Sequence, residues 1–358
     1  MEGLVCVNDF EKEAMRKLGR SAREYYSSGA DDEITVKENV NSYSRILIRP
    51  RMLRNVSTRD LSTTVMGKKV AVPLGISPTA LQKLAHEDGE CGTAKAAETI
   101  GGIMIVAFFT TSSYEEVALA APNARKWFQF FVQKDRSITE GVIRRAEMAG
   151  FEAMVLTLDC QYVGKRRASA RNPIEFPQHL NLPNDTGDAN GELNMSKLHD
   201  SMDYGVTWEA IPWLKRISKL PLVLKGVQTV EDAELAVELG VDGLIVSNHG
   251  GRQIDTTPAT IDILPSIVRA VGHRIEVYID GGIRRGTDVF KAIALGAKMV
   301  FVGRPVIWGL TVSGEKGAHR VLEILRDELD LTMALSGVRD VKGITSDFVC
   351  TKAGLSKL

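Results

Sequence analysis

The 358-residue chain predicts an α/β fold of the (β/α)8 barrel type, with an N-terminal helical cover and a long loop after strand 4. Three observations lead there. From Val70 onward, eight short apolar runs alternate with segments of helical period, the pattern of a parallel sheet with right-handed crossovers. The alternating stretch has about the length of a closed barrel, typically ~250 residues. No G-x-G-x-x-G follows the first strand, which disfavours the alternative, an open doubly wound sheet. The chain reads as one domain over 1–358, with a cover at 1–69, a barrel at 70–337, an active-site loop at 160–206 and a C-terminal tail at 338–358.

Taken in order, Val7–Tyr26 predicts a helix, because Phe10, Ala14, Leu18 and Ala22 recur at helical spacing and Asn8 or Asp9 can cap it. Arg45–Arg54 reads as irregular and basic, and Leu61–Met66 as a short strand before the Gly67-Lys68 turn. The barrel strands are expected at Val70–Ile76, Met104–Phe108, Lys126–Val132, Ala153–Leu158, Leu222–Leu224, Gly243–Ser247, Glu276–Ile279 and Met299–Val302. The helices between and after them are expected at Gly89–Ile100, Ser113–Ala121, Ile138–Ala149, Trp208–Ile217, Thr229–Leu239, Ile261–Val271, Gly286–Leu295 and Gly314–Leu335. Cys160–Val206 is too long for a routine connection and predicts a lid, ordered around Lys165-Arg166-Arg167 and mobile in its polar middle.

Lys plus Arg and Asp plus Glu number 45 each, so the formal charge is zero and neither nucleic acid nor an anionic membrane is an expected partner. The four cysteines are far apart with no C-x-x-C, which argues against a disulfide framework or a zinc knuckle and for a reducing compartment. His86, His179, His199, His273 and His319 have no metal-ligand spacing, so no metal is expected. Neither a signal peptide nor a membrane span is expected. Ser356-Lys357-Leu358 reads as a peroxisomal import address, with its receptor as a partner.

Function in a barrel sits at the C-terminal ends of its strands. Strand 4 ends in Thr157-Leu158-Asp159, strand 5 in Lys225-Gly226, and strand 6 in Ser247-Asn248-His249-Gly-Gly-Arg252. Strand 7 ends in Asp280-Gly281-Gly282 followed by Arg284, and strand 8 in Gly303-Arg304-Pro305. Five consecutive polar ends predict a site. The last two predict phosphate binding, through close backbone approach at Gly281, Gly282 and Gly303, the dipole of the helix beginning near Gly286, and bidentate contacts from Arg284 and Arg304. Lys225 reads either as a Schiff-base nucleophile or as a fixed cation beside a cofactor. His249 with Asp159 reads as a base and its steadying carboxylate, and Arg252 with Arg166 as a carboxylate clamp.

These residues resemble the FMN-dependent α-hydroxy-acid oxidases and dehydrogenases, among them glycolate oxidase and the peroxisomal 2-hydroxyacid oxidases. The matching stretches are Tyr25-Tyr26-x-Ser-Gly-Ala, Pro78-Thr79-Ala80, Thr157-Leu-Asp159, Lys225-Gly226, Ser247-Asn-His249-Gly-Gly-Arg252-Gln253, Asp280-Gly-Gly-Ile-Arg284 and Gly303-Arg304-Pro305. The resemblance implies an (S)-2-hydroxy-acid oxidase that binds FMN, reduces O2 to hydrogen peroxide in the peroxisome and assembles as a tetramer or higher. It implies His249 as base, Asp159 as stabiliser of the imidazolium, Arg252 and Arg166 on the carboxylate, and Tyr25 against the substrate. It implies Lys225 beside the flavin, with Pro78, Thr79, Ala80, Gln129, Thr157 and Ser247 as flavin contacts and Asp280, Gly281, Gly282, Arg284, Gly303 and Arg304 at the phosphate end. Three residues depart from the family pattern. Phe131 replaces a substrate-facing tyrosine, Phe109 a tryptophan of glycolate-preferring members, and Ala107 a flavin-contacting serine. All three make the site more apolar, which predicts a medium- or long-chain substrate. The alternatives are a flavin-binding homologue with weak or lost turnover, an FMN dehydrogenase using another electron acceptor, and a Schiff-base lyase acting through Lys225.

Overall fold

The computed structural model describes residues 1–174, 176–184 and 201–351. Eight parallel strands close into a barrel: β1 Leu74–Ile76, β2 Ile103–Val106, β3 Arg125–Phe130, β4 Met154–Thr157, β5 Leu222–Val227, β6 Gly243–Val246, β7 Glu276–Asp280 and β8 Val300–Val302. Neighbours pair in chain order, and β8 returns to β1.

The period-2 alternation of these strands explains both core and site. Ile103, Ile105, Trp127, Val155, Val223, Ile245, Tyr278 and Phe301 fill the barrel interior as one buried cluster. Met104, Val106, Phe128, Leu156, Leu224, Leu244 and Ile279 face the other way, into the larger core under the surrounding helices. Continuing that alternation two residues past the interior layer reaches Ala107, Gln129, Thr157, Lys225, Ser247, Asp280 and Gly303, and Ser77 follows Gly75 of β1 in the same way. The barrel is thus apolar through its middle and mostly polar at its C-terminal rim. At the opposite end an antiparallel hairpin, Thr63–Val65 with Lys68–Val70, lends Val65 and Val70 to the interior cluster and closes the bottom.

Several boundaries differ from expectation. Val70 belongs to that hairpin, so β1 starts only at Leu74. The predicted helix Val7–Tyr26 is two helices, Val7–Lys17 and Arg20–Ser27, because Leu18 is extended (ψ 133°) ahead of Gly19. Arg45–Arg54 is not wholly irregular: Ile46–Ile48 pairs antiparallel with Val349–Thr351 of the tail. The last helix spans Arg304–Ser336 but breaks at Ser313 and Gly314, where Asp88 accepts the Glu315 N–H at 2.8 Å.

A helix with no clear sequence signal, Ile34–Asn41, joins the cover to the β6 loop. Asp255 of that loop accepts backbone N–H groups of Asp32, Ile34 and Thr35 at 3.1, 3.2 and 2.8 Å. Asn39 and Asn248 exchange a reciprocal amide pair at 2.9 Å in both directions. Asn248, part of the polar cluster that marked strand 6, is therefore a buried fastener of the cover. The start of the long loop is ordered, with a short helix Arg167–Arg171, and Arg167 pairs with Asp31 and Asp32 of the cover. The polar middle from Asp185 to His199 and the terminal Ser356-Lys357-Leu358 lie outside the described residues. Among the described residues, no helix is long and apolar enough to cross a membrane.

Candidate active site

One cavity opens over the polar rim. It is walled by Tyr25, Pro78, Thr79, Ala80, Ala107, Phe109, Gln129, Phe131, Thr157, Arg166, Lys225, His249 and Arg252, and toward β7 and β8 by Asp280, Gly281, Gly282, Arg284, Gly303 and Arg304. Two predicted residues stand behind it. Ser247 is fully buried, its hydroxyl accepting from the Lys225 ammonium at 2.8 Å and from the His249 N–H at 3.1 Å. Asp159 backs His249. Tyr26, Ser77 and Cys160 also line the cavity without having been singled out as site residues; a polar residue directly after β1 was the available signal for Ser77.

His249 leaves β6 with a left-handed backbone (φ 57°), a strained conformation for a residue other than glycine that turns its ring toward the cavity. Its Nδ1 lies 2.8 Å from Asp159 Oδ1. Gly226 is required at this contact, since a Cβ there would sit 2.6 Å from the Asp159 carboxyl carbon. Burial pushes the His249 imidazole below its ordinary value; Asp159 works the other way, and Lys225 and Arg166 add to the fall. Burial alone would raise Asp159, but His249 and Lys225 more than offset it and hold the carboxyl below its usual range. A neutral imidazole backed by a carboxylate can accept a proton.

Lys225 is buried on β5 with Asp280 Oδ2 3.5 Å away. Desolvation disfavours its charge, yet Asp280 and Asp159 raise it above the ordinary lysine value. The ammonium is held by Asp280 and by the Ser247 hydroxyl at 2.8 Å, which disfavours the Schiff-base reading, because that nucleophile must be a free amine.

The two clamp arginines lie together on the cover side. Arg166 donates to the Arg252 carbonyl at 3.1 Å, and Arg252 donates to the Tyr25 and Ser28 carbonyls at 2.5 and 3.2 Å, its guanidinium 5.1 Å from the Tyr25 ring centroid. Burial, with Arg166 adding to it, pushes Arg252 well below the usual arginine range. At the far end, burial and Arg284 bring Arg304 down to about 10. Five cations therefore surround the cavity, while among the described residues only Asp280 of the carboxylates lines it. Such a surplus calls for anionic ligands at both ends.

One detail of the expected phosphate end is corrected. The helix Gly286–Ala294 does not offer its N-terminus to a ligand: Arg284 and Arg285 N–H both donate to Asp288 Oδ2 at 3.0 Å, and Gly286 N–H to Glu328 at 2.7 Å. Its positive end already faces carboxylates. The helix starting at Arg304 has no side-chain cap from Gly303. Gly282 is glycine because the cover packs on it, a Cβ there falling 1.8 Å from the Asn39 carbonyl oxygen. Arg304 uses Nε, Nη1 and Nη2 on the carbonyls of Tyr26, Gly250 and Ser28 at 2.9, 2.9 and 3.0 Å, so it also ties the cover down.

The residues suit a flavin mononucleotide. Gln129 is fixed through Oε1, which accepts the Phe108 N–H at 3.1 Å, while its buried Nε2 has no partner in the protein. Asp280 Oδ1 is likewise unmatched. An unpaired donor and acceptor on the rim, a fixed cation between them in chain order, and a cationic, uncapped helix start answer a polar ring system carrying a phosphate.

A model of the FMN-dependent dehydrogenase family matches residues 14–351. The chain belongs to this family. FMN is its cofactor. Among the relatives of this chain are human (Homo sapiens) 2-hydroxyacid oxidase 1, 46% identical over 97% of this chain and 96% of that one, and glycolate oxidase of Spinacia oleracea, 47% identical over 96% and 95%. Among solved structures, a tyrosine-to-phenylalanine variant of mandelate oxidase with (S)-mandelic acid superposes with a TM-score of 0.89 at 36% identity, covering 97% of this chain and 98% of that one. The flavin-binding domain of baker's yeast flavocytochrome b2 gives 0.87 at 35% identity, covering 98% and 87%. The chain thus falls among FMN-dependent 2-hydroxy-acid and glycolate oxidases. Among its described residues, no group of three or more His, Cys, Asp or Glu is placed to hold a metal ion.

Proposed function

We propose that the protein oxidises (S)-2-hydroxy acids to 2-oxo acids and passes the electrons to O2, releasing hydrogen peroxide, with preference for medium- or long-chain substrates over glycolate. The observation that carries this is the His249–Asp159 pair at 2.8 Å in one cavity with Arg166, Arg252 and Lys225. Arg166 and Arg252 hold the substrate carboxylate, and Tyr25 packs against the substrate. His249 takes the proton released as the hydroxy acid is oxidised, and Asp159 stabilises the resulting imidazolium. Pro78, Thr79, Ala80, Ala107, Gln129, Thr157, Lys225 and Ser247 hold the ring end of FMN; Asp280, Gly281, Gly282, Arg284, Gly303 and Arg304 hold its phosphate end. The bound flavin supplies the two-electron acceptor. Lys225 keeps a fixed positive charge where negative charge develops on reduction.

The chain-length preference is supported by Ala107, Phe109 and Phe131, with Phe109 and Phe131 stacked at 5.9 Å between centroids. The terminal Ser356-Lys357-Leu358 supports import into the peroxisome, where peroxide is handled, and the resemblance supports a tetramer or higher. The test is anaerobic flavin reduction by glycolate, lactate, mandelate and 2-hydroxyoctanoate, followed by air. Rapid reduction by the longer acids with stoichiometric peroxide is expected. Reduction without reoxidation by oxygen would make the protein a dehydrogenase, and no reduction by any acid would leave a flavin-binding homologue without turnover.

A further inference from the structure

We infer that Gln253 is a positioning residue whose side-chain amide holds the β4 loop so that Asp159 and Arg166 meet His249 and Arg252. The inference rests on the roles proposed above for those four residues. Asp159 and Arg166 lie on the loop after β4, and His249 and Arg252 on the loop after β6. Gln253 spans the gap. Its Nε2 donates to the carbonyls of Asp159 at 2.8 Å and Tyr162 at 2.6 Å. Its Oε1 accepts from Gly164 N–H at 3.2 Å and from Arg166 Nη2 at 3.0 Å.

The two carbonyls can only accept and the two N–H groups can only donate, so the amide is oriented one way, and its donors and its carbonyl oxygen are all engaged. One side chain therefore sets the backbone of the base's partner and the guanidinium of a clamp arginine. The loops touch directly at the same place: a Cβ on Gly164 would lie 2.4 Å from the carbonyl oxygens of both Arg252 and Gln253. Arg166 closes the connection by donating to the Arg252 carbonyl at 3.1 Å. The half-buried Gln253 is thus a hinge pin between two halves of the site, not a ligand contact.

The test uses FMN-loaded protein, with (S)-lactate and 2-hydroxyoctanoate as substrates. Gln253→Met keeps the side chain's length and deletes all four bonds. It is expected to raise KM and lower kcat together, about a hundredfold in kcat/KM, the effect of a misplacement of ~1 Å, while FMN content and melting temperature hold. Gln253→Glu keeps the acceptor toward Arg166 and Gly164 but as a carboxylate donates to neither carbonyl. It is expected to restore KM and leave kcat low, a split that a purely structural role would not produce. Gly164→Ala, which crowds the contact from the other side, is expected to lower kcat/KM as well. Values of kcat and KM within twofold of wild type in Gln253→Met would overturn the inference. So would loss of FMN or of cooperative melting in both Gln253 variants, which would make the residue a folding requirement. His249→Ala measured alongside keeps the two proposals apart: normal flavin reduction there overturns the oxidase reading, whereas loss there with an unaltered Gln253→Met overturns only the hinge pin.

Discussion

The end of β6 and the ends of β2 and β3 face the same cavity with opposite chemistry. After β6, His249, Arg252 and Gln253 each hold defined polar partners: Asp159 at 2.8 Å, the Tyr25 carbonyl at 2.5 Å, and four groups of the β4 loop. After β2 and β3, Ala107, Phe109 and Phe131 bring no side-chain hydrogen-bonding group, and contact there is aromatic, Phe109 stacked on Phe131 and Phe108 edge-on to it at 6.5 Å. A hydrogen-bonded array has one working geometry, because an unmade buried bond is penalised in full. An apolar wall tolerates changes of size at a gentler gradient. Under the proposed function, orientation and proton transfer belong to the β6 side and substrate size to the β2 and β3 side.

The largest expected effect strikes the polar side. His249→Ala should keep FMN and slow flavin reduction by substrate by about 10²–10⁴, the usual contribution of a positioned base; stopped-flow reduction at the wild-type rate would break the assignment. Lys225→Met comes next. It leaves Asp280 and Asp159 without their buried cation, and losing one partner of such a set destabilises by about 3–5 kcal/mol. Thermal denaturation of the holoprotein should register it as a clear fall in melting temperature.

The pH profile sharpens the comparison further. His249 works as a base only when deprotonated, and burial holds its value down, so the acid limb of kcat/KM should lie below the ordinary histidine value of about 6.5. Asp159 favours the protonated ring, so Asp159→Asn should move that limb to still lower pH while reducing the rate. A limb that moves upward in this variant contradicts the pairing. The smallest changes belong to the apolar wall. Phe131→Tyr adds one hydrogen-bonding group, about 0.5–1.5 kcal/mol, or roughly two- to tenfold in kcat/KM for a small substrate. Phe109→Trp should lower the rate with 2-hydroxyoctanoate relative to glycolate. An unchanged ratio would free the wall from any part in chain-length selection.

Much of this was readable in the residues because barrel strands are buried on both faces and so stand out as short apolar runs. The polar rim was readable for the same reason: Lys225 or Asp280 directly after such a run has few structural explanations. The helix break at Gly19 was missed because the spacing of Phe10, Ala14, Leu18 and Ala22 carries across it undisturbed. Asn248 belongs to the polar cluster after strand 6 yet fastens the cover, which its own neighbours do not reveal because its partner Asn39 is 209 positions away. The helix at Gly286 looked ready for phosphate until Glu328, 42 residues on, was found at its first N–H.

The sequence by itself determined the alternation of strands and helices, the position of the polar rim and which side chains could do chemistry, because each depends on neighbours within a few residues. Only the tertiary structure decided which of those polar groups remain available. It placed Asn248 in structural hydrogen bonds, left Gln129 Nε2 and Asp280 Oδ1 without protein partners, and kept Lys225 charged through Asp280 and Asp159. The physical reason is that satisfying a buried polar group, or setting its charge, depends on what stands within a few ångströms, and here those partners come from distant parts of the chain.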